Sequence, residues 1–89
     1  MSNLNILFLV NEKKDYNLEI SKDIIAFLKS KGIHVFIEQE LKSRLNEVDV
    51  FTEQKIDFAI IVGGDGTILN FAHTYKNNDL RFLGINLGR

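Results

Sequence analysis

The sequence predicts an α/β fold: a parallel sheet covered by helices on both faces, in three αβα layers. Three observations carry this. Two short apolar runs, Leu4–Val10 (continuous after Asn5) and Ile56–Val62, suit strands buried on both faces, as in a parallel sheet. Between them, Leu18–Lys31 has apolar residues at helical spacing. A glycine-rich segment, Gly63–Thr67, follows the second run at once, where a strand would hand over to a helix.

The elements follow in order. Leu4–Val10 is the first strand, and the polar stretch Asn11–Tyr16 is a loop. In the first helix, Ile20, Ile24, Phe27 and Leu28 lie at i, i+4, i+7 and i+8, forming one stripe. Asp15 or Asn17 caps its start, Glu19 suits its first turn, and Lys29 and Lys31 suit its last. Gly32 follows as the C-terminal cap. Ile33–Ile37 is β-branched and aromatic around His34 and reads as the second strand. Leu41, Leu45 and Val48 are spaced for a short helix. Ile56–Val62 is the third strand. Ile68, Leu69, Ala72 and Tyr75 then give a helix stripe, with Asn70, His73 and Thr74 opposite. Asn77-Asn78-Asp79 breaks the chain, Leu80–Ile85 is the fourth strand, and Asn86–Arg89 begins a loop.

With 89 residues, the chain has room for one domain and one modest core. Hydrophobic residues make up 45%, too many for a disordered chain. Lys and Arg total 11 against 12 Asp and Glu, a net charge of −1, so a strongly basic nucleic-acid footprint is not expected, a local patch aside. There is no cysteine, which removes disulfides and thiolate metal sites and fits a reducing cytoplasm. No basic residue precedes Ile6–Val10, and the longest apolar runs have five residues. Secretory signals and membrane spans of roughly 20 residues need more. A soluble, cytoplasmic protein is expected.

Right-handed crossovers put all strand C-termini on one edge, where open α/β sheets bind ligands. That edge carries Asn11–Asp15, Gly63–Thr67 and Asn86–Arg89. Gly63-Gly64-Asp65-Gly66-Thr67 is the strongest chemical signal. Its glycines admit a ligand close to the backbone, and the helix that follows presents unpaired N–H groups, an anion site. Thr67 adds a hydroxyl donor. Asp65 would repel phosphate unless it binds Mg²⁺ or accepts a hydrogen bond from a hydroxyl that attacks a phosphoryl group. Both roles belong to phosphoryl transfer. The plainer alternative is that Asp65 only caps the helix and the glycines only make a turn. The segment lacks the Gly-Lys-Ser/Thr of a P-loop and the Gly-x-Gly-x-x-Gly of a Rossmann dinucleotide site. Lys13 and Lys14 either approach phosphates on this edge or are simply solvated. No metal-site partners lie near His34 in sequence, His73 sits on a polar helix face, and the aromatics are scattered at core-like positions rather than forming a stacking platform.

Val62-Gly63-Gly64-Asp65-Gly66-Thr67-Ile68-Leu69 resembles the signature of the NAD kinases and their relatives, a superfamily that includes diacylglycerol and sphingosine-type lipid kinases and 6-phosphofructokinases. Leu83-Gly84-Ile85-Asn86-Leu87-Gly88-Arg89 is similar to the bacterial NAD kinase segment in which a strand ending in Gly-Ile-Asn runs into a Gly-rich loop. His34–Glu40 is similar to the second strand of those enzymes. A lipid kinase usually has an Ile-Pro-x-Gly-Thr-type strand end there, and this chain has no Pro.

The resemblance implies a Rossmann-like three-layer domain with strand order 2-1-3-4. It forms residues 1–89, the incomplete N-terminal part of a two-domain enzyme whose β-rich C-terminal domain is absent. It implies transfer of the γ-phosphoryl of ATP, or of polyphosphate, to the 2′-hydroxyl of the adenosine ribose of NAD, with Mg²⁺ required. Asp65 matches the proposed proton acceptor. Carboxylates are weak bases for an alcohol, so orienting the hydroxyl is the larger expected role. Gly64, Asp65, Gly66, Thr67, Asn86 and Gly88 are the implied NAD-binding residues. No protein metal ligand is assigned, and a homo-oligomer is expected of the full enzyme. The substrate-gripping Asn-Glu pair of the family lies in the absent domain, so the 89-residue chain alone is expected to be inactive. A position often basic in the family is Asn70 here, and the loop after the first strand lacks the family's usual Pro. A lipid or sugar-phosphate kinase of the same superfamily, or a non-catalytic nucleotide-binding module, is the alternative.

Overall fold

The structure is a computed structural model and describes residues 4–87. Its elements are β1 (Asn5–Val10), α1 (Glu19–Ser30), β2 (His34–Ile37), β3 (Asp49–Val50), β4 (Phe58–Gly63), α2 (Asp65–Thr74) and β5 (Arg81–Asn86). Every ladder is parallel, and the order is β3-β2-β1-β4-β5. The four strands read from the sequence keep their expected order. β3 is an addition at the outer edge, where Asp49 and Val50 pair with Phe36 and Ile37. A two-residue ladder is too short to leave a hydrophobic period.

The α/β reading holds because β1 and β4 are buried from both sides. Ile6, Phe8, Val10, Ile60 and Val62 face the α1 layer, whereas Leu7, Leu9, Ala59 and Ile61 face the α2 layer. Each fully buried Leu, Ile or Phe contributes about 1.5–3 kcal/mol. The expected short helix through Leu41, Leu45 and Val48 is not there. A 3-10 turn, Gln39–Leu41, and the turns after it bury all three side chains against the α1-side core instead. The Lys42 ammonium donates to the Asn46 and Val48 carbonyls, alongside separate backbone turn bonds such as Leu45 N to Leu41 O.

α1 starts where Asp15 holds it. This carboxylate is only 4% exposed and accepts from Ile20 N at 3.3 Å, Ser21 N at 2.7 Å and Ser21 Oγ at 2.7 Å. Of the two candidate caps, Asp15 acts and Asn17 stays exposed. The bonds draw Ser21 inward, so the buried face is Ser21, Ile25 and Leu28. Phe27, expected on the stripe, is 60% exposed, with the Lys31 ammonium 5.4 Å from its ring centroid. Tyr16 is exposed as well, so two aromatics leave the core-like positions read for them. At the far end Gly32 has φ +80°. Its N–H and that of Ile33 donate to the Lys29 and Leu28 carbonyls, a Schellman cap. Asp15→Ala is expected to cost about 1–2 kcal/mol, because it orphans buried helix N–H groups. Asn17→Ala should stay within about 0.5 kcal/mol. Urea unfolding of the two variants checks the assignment.

On the opposite face, Ile68, Phe71 and Tyr75 of α2 pack over Leu7, Leu9, Phe36, Ala59 and Ile61. Leu69, expected in that stripe, is 72% exposed. The reason lies on β5: a Cβ on Gly84 would stand 2.8 Å from Ile68 Cδ1, so the missing side chain is what lets Ile68 in and sets the helix rotation. Tyr75 closes the face by donating its hydroxyl to Glu38 Oε2 at 2.6 Å. Burial, and then the Glu38 carboxylate, push this phenol well above its ordinary value. The unfolded chain ionises near pH 10, whereas the folded one keeps its proton. Stability from this group is therefore intact below about pH 10 and falls as pH rises beyond it. Tyr75→Phe should cost about 1 kcal/mol at neutral pH and flatten the alkaline decline, which unfolding curves on either side of pH 10 would show.

Candidate active site

The chain leaves β1 for β2 on one side and later returns to β4 on the other. β1 and β4 are neighbours, so their C-terminal ends form the switch point at which open α/β sheets bind ligands. A cleft of about 630 Å³ opens there, lined by Val10, Asn11, Glu12, Lys13, Gly66, Thr67, Asn70 and Phe71. Lys13 lines it and Lys14 does not.

The glycine-rich segment builds one wall. β4 ends at Gly63, Gly64 precedes the helix in extended conformation, and Asp65 is the first helical residue. Neither Gly64 nor any other side chain caps α2, so its first amides are unspent and its N-terminus carries partial positive charge. Two of the glycines differ in what they do. A Cβ on Gly63 would stand 2.7–2.9 Å from three atoms of Thr67, so Gly63 is required for packing. A Cβ on Gly66 would meet nothing within 4 Å. Packing does not explain a glycine in that first turn, and its backbone faces solvent.

Asp65 is exposed, and Asn86 Nδ2 donates to its Oδ1 at 2.5 Å. Asn86 ends β5, opposite Gly63 in the ladder. The structure thus joins two expected site residues that lie 21 positions apart. Among the described residues the Asp65 carboxylate accepts from no backbone amide, so it is not acting as a helix cap. Thr67 is half-buried two residues on, and its Oγ1 accepts from Asn11 Nδ2 at 2.9 Å. Gly64 is half-buried. Gly88 lies outside the described residues.

Asn11 is the residue that the sequence reading passed over. Its N–H donates to Val62 O, its carbonyl accepts from Lys14 N and Asp15 N, and its side chain bridges to α2. The available signal was local: an Asn straight after a buried strand commonly makes an Asx turn, and its Oδ1 does accept from Lys13 N. The other histidine and lysine candidates stay outside the site. His34 pairs with Asp49 at 2.6 Å and stacks beside Phe36, holding the Asp49 carboxyl below the usual range. His73 is exposed. Among the described residues no group of three or more His, Asp or Glu side chains is placed to hold a metal ion.

Residues 6–89 match the family described as the ATP-NAD kinase N-terminal domain. An NAD kinase of Lachnoclostridium phytofermentans is 38% identical over 81 residues, covering 90% of this chain and 28% of the relative. One of Protochlamydia amoebophila is 39% identical over 85 residues, covering 93% and 30%. One of Teredinibacter turnerae is 33% identical over 96 residues, covering 100% and 33%. The chain therefore spans a third or less of the length of these curated relatives.

Proposed function

The chain belongs to the NAD kinase family, and on that premise we propose that it is the N-terminal α/β domain of an enzyme that phosphorylates NAD. The γ-phosphoryl of ATP, or a phosphoryl of polyphosphate, passes to the 2′-hydroxyl of the adenosine ribose, giving NADP. The observation that carries the proposal is the Asp65 carboxylate, set on the ligand edge, tethered by Asn86 and spent on no backbone amide. In the transfer, the bond from the ribose oxygen to the γ-phosphorus forms as the bond from that phosphorus to the bridging oxygen breaks, and ADP leaves. The ribose proton goes to Asp65. Its transfer is late, because the transition state is loose and the carboxylate is a weak base. Gly66 admits the ribose close to the backbone, Gly64, Thr67 and Asn86 line the edge beside it, and Gly88 is kept as an NAD-binding residue of the proposal.

Mg²⁺ fits here as an ion carried by the donor's phosphates, since among the described residues no group of three or more acidic or histidine side chains is placed to hold it. When bound, it neutralises phosphoryl charge. No helix among the described residues is long and apolar enough to cross a membrane, which accords with a cytoplasmic enzyme. A homo-oligomer remains part of the proposal for the full-length protein.

The test is NADP formation by the full-length protein given NAD, Mg²⁺ and either ATP or polyphosphate. Diacylglycerol and fructose 6-phosphate serve as rival acceptors. NADP formed with neither rival phosphorylated is the expected result, and the 89-residue chain by itself should make none. Phosphorylation of a rival in place of NAD would move the protein to another branch of the superfamily. Nucleotide binding with no transfer to any acceptor would leave a binding module.

A further inference from the structure

The cleft beside α2 contains a hydroxyl whose orientation is over-determined. Thr67 Oγ1 already accepts a hydrogen bond from Asn11 Nδ2. That donor cannot flip, because the other amide atom, Asn11 Oδ1, must accept the Lys13 backbone N–H at 2.9 Å. The Thr67 side chain is also seated against the bare Cα of Gly63, which restricts its rotamer. A helical Thr ordinarily gives its own proton to the carbonyl three or four residues back. Here those are Gly64 and Gly63, and Thr67 Oγ1 donates to neither. Among the described residues the Thr67 O–H has no protein acceptor.

We propose that Asn11 is a positioning residue that makes the Thr67 hydroxyl a dedicated donor to a phosphate oxygen in the cleft. The surroundings suit an anion. Gly66 and Thr67 bring the open N-terminus of α2, and Lys13 and Asn70 line the same space. The one acidic side chain in the lining, Glu12, is neutralised by Arg44 Nη1 at 2.6 Å. This assignment rests on reading the edge as the phosphoryl-transfer site. The phosphate oxygen belongs either to the phosphoryl donor or to the pyrophosphate of NAD.

The experiment uses the full-length protein and titrates tripolyphosphate, which has no nucleoside, and then ATP and NAD separately. Thr67→Val should weaken tripolyphosphate about tenfold, the scale of a lost hydrogen bond to a charged group. Thr67→Ser should keep the wild-type affinity. Asn11→Ala should weaken binding several-fold in the wild-type background and not at all in the T67V background, because Asn11 acts only through that hydroxyl. The nucleotide that loses the same factor is the source of the phosphate. Equal losses from Asn11→Ala in both backgrounds would make Asn11 a loop anchor and overturn the assignment. An unchanged affinity in T67V, or no tripolyphosphate binding by the wild type, would overturn it too. If the tripolyphosphate pattern holds while no NADP is formed, the kinase reading falls and the assignment of Asn11 and Thr67 stands.

Discussion

Asp65→Asn in the full-length protein is expected to lower NADP formation by about 10²–10⁴-fold, the range of a lost general acid–base group. The fold should survive the change. Asn keeps an oxygen where Asp65 Oδ1 now accepts from Asn86, and the residue is exposed. The loss to stability is then the favourable interaction of a carboxylate with the α2 N-terminus, about 0.3–1 kcal/mol. NAD should still bind, because the amide NH2 that replaces Oδ2 can donate to the ribose oxygen, although it cannot take the hydroxyl's proton. The signature is therefore a fall in kcat with KM little changed. A variant that keeps its turnover would remove Asp65 from the chemistry. A variant that loses stability and activity together would point to a structural duty that the observed bonding does not show.

The split between what the sequence disclosed and what it hid follows the range of the interactions. β1 and β4 were legible because both their faces are buried, and unbroken apolar runs record that directly. The glycine-rich turn and Asp65 were legible because their chemistry is local to five consecutive residues. Helix rotation was not. Phe27 and Leu69 are apolar and correctly spaced, yet both are exposed, because the angle of each helix is set by one contact that periodicity does not encode. For α1 that contact is Ser21 against Asp15, and for α2 it is Ile68 over Gly84. Asn86 entered by resemblance, and its reason appeared only when the β4–β5 ladder set it beside α2. Asn11 stayed hidden longest, since its partner Thr67 is 56 positions away.

Gly63→Ala is expected to be the most damaging glycine substitution for stability, at about 2–3 kcal/mol, the upper range of overpacking. The new Cβ would meet Thr67 Cγ2, Cβ and Oγ1 at 2.7, 2.8 and 2.9 Å. Relief is difficult on each side. Gly63 is fixed in the β4–β5 ladder opposite Asn86, and its carbonyl holds Leu87 N. Thr67 is β-branched, so its χ1 is stiff in a helix, and Asn11 holds its hydroxyl. Either α2 lifts from the end of β4 or Thr67 turns and releases Asn11. Both outcomes disturb the edge that carries Asp65. Trimming Thr67 to Ala should recover most of the loss, so that Gly63→Ala costs far less in the T67A background. Gly66→Ala supplies the contrast. Its Cβ would enter open space, and Ala is the better helix former by roughly 1 kcal/mol, so this variant should gain stability. If the Gly66 backbone is where the ribose approaches, the same variant should lose activity. Urea midpoints together with NADP formation separate the two glycines: stability and activity fall together at Gly63 and move in opposite directions at Gly66. A Gly66→Ala enzyme that is both more stable and fully active would show that no ligand comes close to that turn.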